Sequence, residues 1–587
     1  MEFITRPVFP RTQWQLEQAG THPLLAKLYA ARGVINASAV DPALKQLLPP
    51  ETLKGTNEAA ILLADALTQN KKLCIVADYD CDGATACAVG LRGLKMLGFQ
   101  PDQLSYIVPD RIQDGYGLTP AIAQRVKETG ADILVTVDNG IASVAGVAHA
   151  HELGMQVVVT DHHLPALLDD KPVLPAADVI INPNQPGCTF ASKAIAGVGV
   201  MFYTLIALRS ELRAKGHFNA QTQPRLDTLL DLVALGTVAD VVALDDNNRR
   251  LVIQGLQRIR KGQMQPGLAA LYKVSGRKPQ TANTFDMGFA LGPRLNAAGR
   301  LSDMTLGIEC LITDDTTQAE KQAQMLDQIN HERKSIEADM LERSVILLEK
   351  HLNNTHNYAD VQGTTTEPSA AIAIYDDEFH EGVVGILASR IKEKLYRPSF
   401  VFAPSQATEQ QGLIKGSGRS ISGFHLRDAL DLIEKRHPNL LLKFGGHAMA
   451  AGCTIQAKNF PLFEQAFAQI AQELLDPDTL ARKLHTDGTL SPEYCTPETA
   501  KLLRDSVWGS GFPAPVFSEP LQILSQRIVG EKHMSLKLKY HNQTISAIWF
   551  NHSTPLPECP LLAYRMDIDE WQGVERVRFV IEGMQDE

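Results

Sequence analysis

The chain has 587 residues, too many for one hydrophobic core, and its length suggests roughly three or four domains. With 44% hydrophobic and 21% charged residues it has the composition of a folded soluble protein, which argues against disorder, and it carries no uninterrupted apolar run of membrane length. A net charge of −11 argues mildly against a nucleic-acid partner, yet an acidic metal site and a local basic groove are both compatible with it.

Eight cysteines are scattered without a Cys-x-x-Cys pair or zinc-like spacing, so reduced thiols in a cytosolic protein are expected. The start, MEFITRPVFPR, lacks an apolar signal core, which again points to the cytoplasm. Residues 1–50 are proline-punctuated and helical in pattern, a lead-in without evident chemistry.

From about 58 to 185 apolar runs alternate with amphipathic stretches. Strands are expected at 73–77, 104–108, 133–137, 157–160 and 178–181, with helices at 84–97, 119–129 and 141–153. This alternation predicts an α/β fold with a parallel sheet, in which ligands collect at the carboxyl ends of strands. Three strands end in metal-binding residue types: the first in Asp80 and Asp82, the third in Asp138-Asn139-Gly140, the fourth in Asp161-His162-His163. On an extended backbone Asp78, Asp80 and Asp82 share one face, and carboxylates that close repel unless a cation sits among them. A lone Asp-Asn-Gly is ordinarily a turn and a lone His-His pair ordinarily surface, but the coincidence of all three on one sheet edge predicts a pair of divalent ions. Mixed carboxylate and imidazole donors suit manganese, with magnesium as a substitute.

A helix from Leu226 to about Val238 leads to Asp240, where a fourth carboxylate could be delivered from outside the sheet. GPRLNAAGR, residues 292–300, reads as a small-residue loop whose Arg294 and Arg300 suit phosphate oxygens. A long charged helix is expected at about 316–352, then a polar loop at 353–369. A second α/β unit, about 370–456, contains a helix near 384–396 and two glycine-rich turns, at 416–420 and 445–447. Lys415, Arg419 and Arg427 with Phe424 and His425 would suit a single strand, charge following the backbone and rings receiving bases. After a helix near 460–475, alternation in SLKLKY, TISAIWF and RVRFVI predicts a small antiparallel β barrel or sheet, with Trp508, Trp549 and Trp571 in core packing more than on bases.

The ordered string DYDCDGATA at 78–86, PDR at 109–111, DGYGL at 114–118, TVDNGI at 136–141, TDHH at 160–163, GTVAD at 236–240 and GPRLNAAGRL at 292–301 resembles the DHH phosphoesterase superfamily over nearly the whole chain. The resemblance implies a lead-in at 1–50, a DHH catalytic domain at 51–310, a connecting long helix at 311–354, a smaller α/β DHHA1 domain at 355–456 carrying GSGRS and FGGHAMAAG, and at 457–587 a helix plus an oligonucleotide-binding β barrel. It implies metal ligation by Asp80, Asp82, Asp138, His162 and Asp240, with Asp78 nearby as a further ligand or as support for one. The mechanism expected is hydrolysis by two manganese ions bridged by Asp138. His163 would contact the scissile phosphate with Arg294, Asn296 and Arg300, while Arg390, Ser417, Arg419, Ser420, Gly445, Gly446 and His447 would grip the strand. The implied activity is metal-dependent 5′-to-3′ exonuclease action on single-stranded DNA, releasing 5′-mononucleotides in recombination and repair, alongside single-strand-binding protein and recombination or mismatch-repair factors. The alternatives are a phosphoesterase for short nucleotides and a non-catalytic single-strand-binding scaffold. Length and the extra β region disfavour the first, the intact donor positions the second.

Overall fold

The computed structural model describes residues 1–111, 113–168, 171–359, 369–406, 412–571 and 573–585. Residues 3–327 and 485–587 form one compact unit; residues 328–484, with the first two residues, form another.

In the first unit five parallel strands lie in the order Leu104–Ile107, Leu73–Ala77, Ile133–Val137, Gln156–Thr160, Val179–Ile181. The strands Leu73–Ala77 and Ile133–Val137 are buried throughout, which is why they read as unbroken apolar runs instead of alternating ones. Period-two geometry divides their side chains between two faces. Leu73, Ile75 and Ala77 join the large core with helices Thr56–Thr68, Cys81–Met96, Gly197–Ala214 and Leu230–Ala239. Cys74 and Val76 join a smaller core under helices Pro120–Glu128 and Val144–Glu152. The strand order reverses between Leu73–Ala77 and Ile133–Val137, and at such a switch point the loops part and leave a crevice.

The C-terminal part of this unit is a six-stranded sheet, from Phe517–Pro520 through Leu561–Trp571, Val574–Met584, Gln543–Trp549 and His533–Tyr540 to Gln522–Val529. All its pairings are antiparallel except that between Gln543–Trp549 and Val574–Met584, and among the described residues the two outer strands do not pair, so the sheet is a half-barrel. Trp508 is buried, stacked on Phe512 5.5 Å away, and donates its indole N–H to the Leu503 carbonyl.

The second unit has a mixed sheet in the order Lys443–Gly446, Ala450–Gln456, Leu413–Arg419, Ser399–Pro404, Ile372–Tyr375, with Phe400, Phe402, Phe463 and Phe467 at its core. Three expectations are corrected here and in the first unit. GPRLNAAGR is a helix, Gly292–Leu301, not a loop: Pro293 occupies its first turn, where a missing N–H costs nothing, and Leu295, Ala297 and Ala298 are buried. The stretch 416–419 is strand, not turn. Gly416 and Gly418 lie opposite Phe402 and Phe400, and a Cβ there would meet those rings at 2.3 and 2.4 Å. The polar segment at 353–369 is helical through Ala359, because Thr316–Ala359 contains no glycine or proline to stop it; 360–368 lie outside the described residues. Among the described residues no helix is long and apolar enough to cross a membrane, and all eight cysteines are unpaired.

Candidate metal centre

The three aspartates after the first strand are not on one extended face. The Asp78 N–H reaches the Val137 carbonyl at 3.3 Å and continues the ladder one residue. Asp80 then turns the chain by capping helix Cys81–Met96, its carboxylate accepting the Gly83 N–H at 3.0 Å. Asp82 lies in the first helical turn, fully buried, and accepts the amides of Gly197 and Val198 at 2.6 and 2.9 Å, at the start of helix Gly197–Ala214.

Asp138 follows the adjacent strand in a left-handed conformation, φ 62°, which aspartate tolerates. The Asn139 side chain ties this turn to the sheet by donating to the carbonyls of Val76 and Val137 at 3.0 and 2.9 Å. Asp161 organises the histidines. Its Oδ1 accepts the backbone N–H of His162 at 2.7 Å and of His163 at 3.1 Å and lies 2.7 Å from His163 Nδ1, while Oδ2 accepts the Ile141 N–H at 2.9 Å. Asp240 ends helix Leu230–Ala239.

These elements converge. His162 Nε2 lies 3.0 Å from Asp138 Oδ1, 3.5 Å from Asp240 Oδ2 and 3.9 Å from Asp82 Oδ2. Three overlapping donor groups result: Asp78, Asp80 and Asp138; Asp82, His162 and Asp240; Asp138, His162 and His163. Glycines make this crowding possible. A Cβ on Gly197 would sit 2.6 Å from the Asp138 carboxylate, on Gly83 2.4 Å from the Asp78 carbonyl, and on Gly299 1.9 Å from the Tyr79 carbonyl.

Asp138 Oδ1 and His162 Nε2 are both buried and, although close, are not aligned to hydrogen-bond each other or anything else. Buried polar atoms are otherwise almost always satisfied, so this pair is suited to holding a cation. The electrostatics agree. Burial, then the charge of Asp80, pushes the Asp78 and Asp82 carboxyls far above their ordinary range; burial, then Asp82, does the same to Asp138 and Asp240. Burial and the neighbouring His163 hold the His162 imidazole well down, as a metal-ligating histidine requires. For His163 burial would also lower the value, but hydrogen bonding to Asp161 and its charge prevail and raise it. Carboxylates and imidazole with no thiolate within the donor groups suit manganese or magnesium better than a softer ion.

The residues expected to touch phosphate divide. Arg294 is buried, its guanidinium on Asp327 at 2.8 Å and on the Ala290 carbonyl at 2.5 Å. Asn296 accepts the Cys81 N–H at 2.7 Å and so braces the aspartate turn. Arg300 is half-buried on the same helix. In the second unit Arg419 donates to Ser417 Oγ at 3.0 Å and to the Gly418 carbonyl at 2.8 Å, beside the uncapped N-terminus of helix Val384–Leu395, where a Cβ on Gly385 would be 3.0 Å from both side chains. Arg390 is on Glu337 at 2.8 Å and Lys415 on Glu381 at 2.6 Å. The Ser420 hydroxyl is buried on the Phe424 carbonyl at 2.7 Å, and Phe424 is itself a core residue, which corrects its expected place among the rings receiving bases. Gly445 and Gly446 end strand Lys443–Gly446, and the His447 N–H meets the Ala450 carbonyl at 2.8 Å.

Sequence reasoning missed the Asp161 clamp, the Gly197 and Val198 amides, and an aromatic wall beside the donors. Tyr116 lies with its hydroxyl 3.2 Å from the Asp138 carbonyl and its ring edge-on to His163 and Tyr79, and the Arg111 guanidinium sits 4.3 Å over Tyr79. PDR and DGYGL were the visible signal, but nothing in their spacing showed where they fold.

Models of known families match the chain three times: the N-terminal domain of the DHH family over residues 72–237, the DHHA1 domain over 367–473 and the RecJ OB domain over 486–583. The single-stranded-DNA-specific exonuclease RecJ of Salmonella typhimurium is 45% identical over 95% of both chains. The chain belongs to the RecJ family. The Escherichia coli RecJ is 44% identical over 96% of each chain. Among solved structures, RecJ from Thermus thermophilus in complex with Mn2+ is 29% identical with a TM-score of 0.80, aligned over all of this chain and 79% of that one. The RecJ half-barrel and the two α/β units are thus those of the family, at the residues where the family models match.

Proposed function

We propose that this RecJ-family chain is a divalent-metal-dependent exonuclease that hydrolyses single-stranded DNA from the 5′ end, releasing 5′-mononucleotides in recombination and repair. One observation carries the reading: the unsatisfied Asp138 Oδ1 and His162 Nε2 in the midst of Asp78, Asp80, Asp82 and Asp240, all buried or half-buried, at the switch point of the sheet. Asp78, Asp80 and Asp138 would hold one manganese or magnesium ion and Asp82, His162 and Asp240 a second, with Asp138 within reach of both. When bound, such ions activate water and stabilise charge on the phosphoryl oxygens.

The chain's own residues do the rest. Asp161 orients His163 and favours its protonated form, so that an imidazolium would offer a donor beside Asp138 to a phosphoryl oxygen gaining charge. The Gly197 and Val198 amides fix both oxygens of Asp82, and Asn296 fixes the turn between Asp80 and Asp82, so the donors do not reorganise during turnover. Arg300, and in the second unit Arg419 with Ser417, are assigned to backbone phosphates, since guanidinium forks suit them. By the same reading the chain works in the cytoplasm on strands carrying single-strand-binding protein, with recombination or mismatch-repair factors nearby.

The test is a single-stranded oligonucleotide labelled at its 5′ end, incubated with Mn2+. Labelled mononucleotide as the first product is expected; digestion from the 3′ end, or none, would overturn the reading.

A further inference from the structure

Two phenylalanines on the segment packed against the end of helix Leu230–Ala239 are left in solvent. Phe285 and Phe289 are 48% and 72% exposed, and their rings stack on each other 4.7 Å apart at 25°. They lie where the chain passes from the short helix Thr284–Asp286 through a π-helical turn, Met287–Leu291, into helix Gly292–Leu301. The wide turn leaves Met287, Ala290 and Leu291 in the core while Phe289 stays outside. Its backbone packs on the end of the helix that delivers Asp240. A Cβ on Gly288 would be 3.6 Å from Val238, and one on Gly292 3.1 Å from Ala239. The residue after Asp240, Val241, is 69% exposed and in the left-handed region, φ 64°, where a β-branched residue is strained. One cationic side chain lies over the rings and the next residue carries another. Arg277 lies 5.9 Å over Phe285, with Asp286 3.6 Å away, and Lys278 is 74% exposed, with Glu570 as a loose partner at 3.8 Å.

We propose that Phe289, backed by Phe285, is a stacking platform for a base of the single strand at the metal centre, with Arg277 and Lys278 following its phosphates. This rests on the function proposed above. An exposed ring face takes any base, as an enzyme consuming a strand of arbitrary sequence needs, and neighbouring positive charge suits a nucleic acid better than an apolar protein surface. The backbone beside Phe289 packs on Val238 and Ala239, the two residues before Asp240, so a base held there belongs to a nucleotide near the one being removed.

The test compares the full-length protein with F289A and F289W on oligothymidylate and on an oligonucleotide of the same length made of abasic residues. On oligothymidylate F289A is expected to raise KM about 5- to 150-fold, with the loss in KM and not kcat, and F289W to restore it. On the abasic strand the variants should match the wild type. An unchanged KM for F289A, or an equal loss on both strands, would overturn the platform, the latter because the ring would then be serving the protein's own structure. A change in the self-association of F289A by sedimentation would overturn it in favour of a second copy as the occupant. Failure of the wild type to digest any strand would instead overturn the exonuclease reading. Fluorescence anisotropy of labelled oligothymidylate without metal reads the platform independently, and there F289A must bind more weakly.

Discussion

The sheet that carries Leu73–Ala77 and the sheet that carries Leu413–Arg419 both set glycines beside charged residues, and they use them for opposite purposes. Around the first, Gly83, Gly197 and Gly299 remove the Cβ atoms that would keep helices apart from the aspartate turns, and polar atoms crowd together with Asp138 Oδ1, Asn139 Oδ1 and His162 Nε2 left without a hydrogen-bond partner. In the second, Gly416 and Gly418 make room for the Phe402 and Phe400 rings, and Arg419 on the same strand is engaged by Ser417 and a carbonyl. Glycine that makes room for rings is packing. Where it crowds buried carboxylates together, it imposes a cost that a bound cation would offset.

The sharpest way to break this comparison is Asp138→Ala. Cleavage should fall to background, and the rise in Tm that Mn2+ gives the wild type should disappear; a variant that is still stabilised by Mn2+ and still cleaves would remove the centre. Next is Asp161→Asn, which leaves every proposed ligand in place but loosens both histidines. Activity about 10- to 100-fold lower is expected, the usual effect of removing a group that orients a ligand, and normal kinetics would show the clamp to be idle. In the second unit Arg419→Gln should raise KM about tenfold for a single strand, the worth of one charge-assisted contact, with metal-induced stabilisation unchanged. The smallest effect is Gly418→Ala. Its Cβ meets the Phe400 ring, so the second unit should lose about 1–3 kcal/mol in thermal or denaturant unfolding, and Phe400→Leu in the same chain should recover part of it. If G418A were neutral, its glycine would not be there for the ring.

Legibility followed how local the cause was. Strands Leu73–Ala77 and Ile133–Val137 were readable because burial on both faces makes continuous apolar runs, and Asp78, Asp80, Asp82 and Asp138 were readable as candidate donors because they follow those runs. Glycine and proline in GPRLNAAGR and GSGRS suggested a loop and a turn by local preference. What overrides that preference is distant: Tyr79 against Gly299, and Phe400 paired with Gly418. The Asp78–Asp82 face failed for a nearer reason, since Asp80 is a good helix cap and the helix begins one residue later. Asp161 stood in plain view in TDHH, but its task of holding two histidines through three hydrogen bonds exists only after folding.

The first unit is assembled from both ends of the chain. Trp508 and Phe512 pack on Tyr29, the Arg249 guanidinium lies 4.1 Å over Phe512, and the Leu244 N–H is met by the Ser510 carbonyl at 2.8 Å. A chain emerging from the ribosome therefore presents all the candidate metal donors, which end at Asp240, long before the residues that seal this side of the core are made. Nascent chains should pass through a stage in which the donor set is synthesised but its support is unfinished, a period in which chaperone shelter matters most.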